Sequence, residues 1–421
     1  MKRILFAAFV ASLLAAGCQK TEVVESNNGP VITFSTEMKK ITKADPKADA
    51  EGDENLHAQG FKIWAYADFS LENVTNVETN PDNPKYLIYD NMYSWPVTYT
   101  EAAGWSAGGD YYWPGTKKSL RFFAVSTKNE YTVNVTNGIE PKTNPSNPSI
   151  TISNFEVTDG NEDLMVADFH KQHQNQDSRV VNLDFHHTLT KVEFKFKTTV
   201  PTDLAQGESA PKVFVQELKL NNLNYKGELT ASANTNFASP SPDVNTAEEL
   251  TVQFDWEPAA GIKSFVSNGP TGNALTDEDS LPKKIIGIDG SEINNTSGQK
   301  APLLKAEAET YATWLMLPHT SIVNAEDNDE DNDKLIVITY VIDDRQFEAK
   351  FPLAGKKADG SAQIPSWNVN QYITYTIDLS PNMISFDASS SDWTNFDGDS
   401  NPNEDTNKDG NKTNDDINMN N

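Results

Sequence analysis

The chain has 421 residues, enough for two or three domains, and 61 acidic against 34 basic side chains leave a net charge of -27. That excess repels phosphate backbones and anionic bilayer surfaces; it argues against nucleic-acid binding and suits exposure to salt and divalent cations. Cys18 is the only cysteine, so intrachain disulfides are excluded and stability must come from packed cores.

Lys2 and Arg3 open the chain, an almost unbroken apolar run extends from Ile4 to Ala16, and Gly17 leads to Cys18. A basic head, a short apolar run and a small-residue cut site predict an export signal over residues 1–18, too short to span a bilayer as a helix. Leu14-Ala15-Ala16-Gly17-Cys18 resembles a bacterial lipoprotein box, with Ala15 where leucine is commonest. The resemblance implies that Cys18 becomes the first mature residue and carries diacylglycerol. The alternative is a secreted protein with a free Cys18 thiol. Two or three acyl chains, at ~0.8 kcal/mol per buried CH₂, would hold the chain to a membrane. Residues 19–28, mostly polar with Glu22 and Glu25, read as a tether.

Strand patterns dominate the chain from Val31 onward, and no long stretch holds apolar residues at helical spacing. Val31 to Thr36 alternates, with Ile32 and Phe34 on one face. Lys39, Lys40, Lys43 and Lys47 then punctuate a polar segment, and Asp49 to Glu54 reads as an exposed loop. Strands are expected at Phe61 to Tyr66, Trp95 to Tyr99 and Leu120 to Val125, with a turn at Pro114-Gly115. Asp163 to Ala167 is apolar, whereas His170 to Ser178 is wholly polar and places a boundary between domains 29–178 and 179–395. Val181, Leu183 and Phe185 alternate, as do Val192, Phe194 and Phe196, which implies sheets with one buried face. Further strands are expected at Val213 to Leu220, Thr251 to Trp256, Ala312 to Leu317, Leu335 to Ile342, Phe347 to Phe351 and Tyr372 to Leu379. Residues 396–421 are acidic, rich in Asn and Asp, and nearly free of apolar side chains, a composition expected to stay disordered. Short strands with turn signals and no helices predict an all-β chain of two tandem β-sandwiches.

Four clusters together resemble the fimbrillin family, the type V pilus subunits of Gram-negative anaerobes. They are Ile32-Thr33-Phe34 with Thr42-Lys43-Ala44; Tyr111-Tyr112-Trp113-Pro114 with Leu120 to Ala124; Asp163 to Ala167 with Leu183 to Val192; and Trp367 with Gln371 to Tyr375 and Asp392-Trp393. The resemblance implies two transthyretin-like β-sandwich domains, a lipidated precursor, proteolysis after the first strand and assembly by donor-strand exchange. Val31 to Thr36, with Ile32 and Phe34, would be the leaving strand, and Lys39, Lys40, Lys43 or Lys47 the cut site. The best-known members are cut after arginine, and this chain has arginine only at Arg3, Arg121, Arg179 and Arg345. The donor would be Met383 to Trp393, where Ile384, Phe386 and Ala388 alternate, unless that segment closes its own domain. The partners implied are other fimbrial subunits, a membrane through the lipid, and a host or bacterial surface ligand. A subunit that keeps Cys18 would be a pilus anchor; one that never polymerises would be a surface lipoprotein binding glycan or protein.

The remaining candidates are weaker. Asp405, Asn407, Asp409, the Asn411 carbonyl, Thr413 and Asp416 are spaced as ligands of a calcium loop with Gly410 at its turn, but no amphipathic helices flank them. No other cofactor is expected. Asp168, His170 and His173 could hold a metal or be a polar linker, and His186 and His187 would face opposite sides of a strand. Trp64, Trp113 and Trp393 lie in or beside apolar runs and read as core. No serine-hydrolase elbow, HExxH or phosphate loop occurs, so no enzyme is expected.

Overall fold

In a computed structural model of the chain, the described residues are 31–38, 50–68, 95–107, 111, 113, 119–138, 147–158, 162–173, 180–199, 210–237, 247–269, 275–324, 333–357, 359–380 and 383–393. They begin with β1 (Thr33–Met38), α1 (Ala50–Gln59), β2 (Phe61–Asp68), β3 (Trp95–Thr100), β4 (Gly104–Ser106), β5 (Ser119–Ser126), β6 (Thr132–Thr136) and β7 (Ser149–Glu156). Next come β8 (Met165–Ala167), β9 (Phe169–His173), β10 (Val180–His187), β11 (Thr190–Lys197), β12 (Val213–Asn224), β13 (Lys226–Ala233), β14 (Glu248–Leu250) and β15 (Val252–Pro258). The last are β16 (Ile262–Ser267), β17 (Lys284–Ile286), β18 (Glu292–Asn294), β19 (Glu309–Met316), β20 (Leu335–Ile342), β21 (Arg345–Pro352), β22 (Gln371–Ser380) and β23 (Met383–Asp392). The fold is all-β apart from α1.

Four sheets form. The first has nine strands ordered β1-β10-β8-β5-β2-β3-β4, with β9 against β5 and β14 against β9. The second is β15-β13-β7-β6, the third β19-β11-β22-β23 and the fourth β16-β12-β20-β21-β17-β18. The third packs face to face on the fourth, with Phe265 beside Trp314 and Phe351 stacked 5.3 Å from Phe386. The second covers the first, where the rings of Phe254 and His186 lie 5.8 Å apart. β10, beyond position 178, pairs with β1 and β8, and β13 pairs with β7, so hydrogen-bonded sheets link residues on both sides of that position.

Sequence dictates which faces are buried. Along β13 every second residue points inward, Gly227, Leu229, Ala231 and Ala233, as period-two strands require. In β5, by contrast, all eight residues are buried, Arg121 among them, because both faces of the first sheet are covered. Phe123 and Val125 enter the main core, which extends to Trp393, while Leu120, Phe122 and Ala124 enter a separate cluster with Ile32, Phe34, Leu56 and Phe185.

Three expectations need correcting. The segment Ala50 to Glu54 is not a loop but the start of α1. Only Leu56 is large and apolar in that helix, so there was no helical period to read. Leu56 is fully buried, and His57 stacks 3.6 Å from Tyr99. Gly60, at a φ of 69°, ends the helix and donates its N–H to the Leu56 carbonyl. The polar stretch after Asp168 is also partly strand: His170, Lys171 and Gln172 are buried in β9, with Lys171 paired to Glu248 across the ladder to β14. His186 and His187 do not split between core and solvent; both are buried.

Candidate functional site

The site consists of two edge strands, β1 and β23. β1 lies parallel to β10 in the register Thr33↔Val180 through Met38↔Phe185. Among the described residues, no strand lies beyond it in the sheet. Phe34, Thr36 and Met38 alternate inward, and Ile32 precedes them. Ile32, Phe34 and Met38 are 4%, 7% and 7% exposed, so the apolar face of this edge is fully used. Phe34 meets Phe61 edge-on at 5.9 Å and Phe122 at 6.4 Å, the geometry aromatic rings prefer. Polar contacts fix the register: Trp105 donates its indole N–H to Thr36 Oγ1 at 3.1 Å, the Ile32 N–H donates to the Tyr111 carbonyl at 2.7 Å, and Ser35 bonds Asn182. The strand runs two residues past the expected Thr36 because Met38 takes the next inward position, opposite Phe185.

The energetics set how firmly β1 is held. Burying three such side chains contributes about 1.5–3 kcal/mol each, roughly 5–9 kcal/mol as an upper bound. Most of that would be forfeited if the strand left, and β10 would become an unpaired edge beside open apolar pockets.

β23 closes the other edge. It pairs antiparallel with β22 along all ten residues, Gln371↔Asp392 to Ser380↔Met383, as the outermost strand of the third sheet. Ile384 and Phe386 are buried, and Ala388 packs on the same core. In this structure the segment therefore completes its own sheet. Trp393, just beyond it, is 1% exposed and stacks on His187 with ring centres 3.6 Å apart and planes 9° apart. His187 Nδ1 lies 2.9 Å from Asp163, and Asn55 of α1 donates to the same carboxylate at 3.3 Å. Lys191 lies over the Trp393 ring at 5.8 Å, a cation–π distance. Helix α1, the end of β10 and the end of β23 are thus joined by one buried polar chain. Asp163, His187 and Trp393 were present in the sequence clusters, but 230 residues separate Asp163 from Trp393 and no spacing rule connects them.

Other expected site residues lie outside the described residues: Cys18, Lys39, Lys40, Lys43, Lys47, and the tail ligands Asp405, Asn407, Asp409, Asn411, Thr413 and Asp416. Trp64 and Trp113 are buried at 8% and 1% exposure, as core residues rather than exposed stacking platforms. Asp168 comes together with Asp184 and Glu249 rather than with His170, and the side chain of His173 lies outside the described residues.

The arrangement is that of a β-sandwich protein in which the first and last strands of the described residues each form a sheet edge. The fimbrillin-like family matches residues 50–393. No curated protein matches the chain. Among solved structures, a fimbrial protein from Bacteroides vulgatus is similar at 20% identity and a TM-score of 0.44, over 86% of this chain and 99% of that one. A candidate cell adhesion protein from Bacteroides uniformis is similar at 15% identity and a TM-score of 0.39, over 86% of this chain and 98% of the other. The chain belongs to the fimbrillin-like family. Membership places it among the fimbrial subunits of the cell surface.

Proposed function

We propose that the chain is exported as a lipoprotein precursor anchored at the outer membrane through Cys18, loses its leading strand, and joins a fimbria by strand exchange that serves adhesion. A protease would act in the segment holding Lys39, Lys40, Lys43 and Lys47. The observation that carries this reading is β1: an edge strand that fills a cluster of its own with Ile32, Phe34 and Met38, apart from the main core. Once vacated, β10 would offer unpaired N–H and C=O groups beside apolar pockets, and an incoming strand could pair with them while filling alternate pockets. Such a head-to-tail contact does not close on itself, so repetition gives a filament. Met383 to Trp393, paired with β22 here, would have to leave its own sheet to act as the donor and present Ile384, Phe386 and Ala388 to a neighbour; the tail beyond it would supply the calcium ligands.

A second reading is favoured by one feature. β23 is paired along its whole length and Trp393 is pinned by His187. A subunit that keeps both β23 and its lipid accepts a donor without giving one, which describes an anchor at the base of a filament.

The test uses the chain from Gln19 onward, treated with a lysine-specific protease and followed by gels and negative-stain microscopy. Loss of the segment containing β1, with ladders or fibres afterwards, supports the shaft subunit. A cut chain that stays monomeric but caps fibres of another subunit supports the anchor. An uncut monomer that binds a glycan array overturns both and leaves a surface lipoprotein that does not polymerise.

A further inference from the structure

The geometry points to a divalent-cation site at the margin between the first and second sheets, held by Asp168, Asp184 and Glu249 with His186 beside them. The local sequence explains how the groups meet. In β10 the apolar Val181, Leu183 and Phe185 enter the cluster under β1, so Asp184 and His186 face the other way. Asp168 sits between β8 and β9, and its N–H donates to the Asp184 carbonyl at 2.8 Å. β14 then brings Glu249 opposite His170. One carboxylate oxygen from each of Asp168, Asp184 and Glu249 lies within 4.8 Å of the others. Asp168 is fully buried and Glu249 exposed, so the cluster opens to solvent on one side.

Clustered carboxylates are common on a chain this acidic, and alone they would mean little. His186 adds an independent sign. Its side chain is 5% exposed, and its Nε2 lies 3.0 Å from Asp168 Oδ1. Even so, neither ring nitrogen makes a hydrogen bond. The imidazole is close enough to meet the carboxylate, yet turned so that no N–H points at it. Asp168 Oδ1 instead accepts the Val252 N–H at 2.9 Å. Nitrogen and oxygen ligands at about 2.1 Å from one ion and at right angles to each other stand about 3 Å apart. The His186–Asp168 spacing is also that of two adjacent donors on one ion, with the ring nitrogen outside the 4.8 Å set that the three carboxylates form. Oxygen-rich donors suit hard cations, whereas an imidazole suits zinc and its neighbours; Zn²⁺ and Mn²⁺ satisfy both. Calcium rarely takes imidazole nitrogen.

Calorimetric titration of the chain from Gln19 onward with ZnCl₂, MnCl₂ and CaCl₂, alongside thermal melting in each, tests the site. One equivalent of Zn²⁺ or Mn²⁺ is expected to bind and raise the melting temperature. Affinity should fall at least tenfold in Glu249→Gln, a change at an exposed side chain, and in Asp184→Asn. His186→Gln should weaken Zn²⁺ more than it weakens Ca²⁺. The assignment is overturned by no stoichiometric binding, by binding unchanged in Glu249→Gln and Asp184→Asn, or by a preference for Ca²⁺ that His186→Gln leaves intact. None of these readouts requires the chain to polymerise, so the result stands apart from the strand-exchange proposal.

Discussion

Replacing Phe34 with alanine tests whether β1 is a separately held strand or part of the global core. Phe34 is 7% exposed, and its ring sits edge-on to Phe61 and Phe122. Truncating a buried Phe to Ala costs about 3–5 kcal/mol, the lost transfer energy plus the cavity left behind. Set against the roughly 5–9 kcal/mol that Ile32, Phe34 and Met38 supply together, the change removes about half of what keeps β1 in place. Because β10 is the one strand that β1 pairs with among the described residues, the loss should appear as local release before global unfolding. Native-state hydrogen exchange is the assay. Peptides covering 33–38 and 180–185 should exchange about a hundredfold faster or more, at ~1.4 kcal/mol per tenfold, while β20 and β22 keep their protection. If β10 stays protected and every element weakens alike, Phe34 belongs to the global core and the separable-strand argument fails.

Trp393→Ala should cost about 3–5 kcal/mol in urea unfolding, because it empties a fully buried site and removes the stack on His187; a loss under about 1 kcal/mol would mean that this stack does not hold β23. Gly60→Ala should lower the melting temperature, since Gly60 has a φ of 69° and an added Cβ would lie 2.5 Å from the Val97 carbonyl oxygen; strain of that kind costs about 1–3 kcal/mol, and an unchanged melting temperature would refute it. His319 is 5% exposed, and burial, helped by the charge of Lys334, pushes its pKa from 6.5 down to about 4, against a backbone hydrogen bond with Asn224 that favours the charged ring. The unfolded chain therefore takes up a proton that the folded chain refuses, so the contribution is complete above pH 6.5 and is lost as pH falls towards 4. The loss amounts to about 3 kcal/mol, and denaturant titrations of wild type and His319→Gln at pH 7 and pH 4 should differ in pH dependence by that order; parallel curves would refute it.

How legible each part was depended on how local its signal is. Alternation exposed β1, β10, β11 and β22 at once, because Ile32 and Phe34, or Val181, Leu183 and Phe185, carry period two within a few residues. Helix α1 left no trace: one leucine, Leu56, anchors it, and the rest of its hold comes from His57 against Tyr99 and Trp105 and from Asn55 on Asp163. β9 read as linker because its residues are polar. It is buried nonetheless, since Lys171 has Glu248 opposite and Gln172 donates to the Val180 carbonyl. Partners brought from distant strands cannot be seen in a local window. The same holds for Asp168, Asp184 and Glu249, and for β13 and β15, which leave the later half of the chain to pair beside β7. Both histidines of β10 are buried because the strand has cover on each face and Trp393 caps its end.

β10 touches both ends of the described chain, β1 along its length and Trp393 against its last residue. Tension applied at those two ends would therefore enter and leave through one strand, bypassing most of the third and fourth sheets. Since β1 runs parallel to β10, a pull along the strand axis would shear the six-residue ladder as a unit rather than unzip it bond by bond. A subunit so arranged resists stretching through its shortest route.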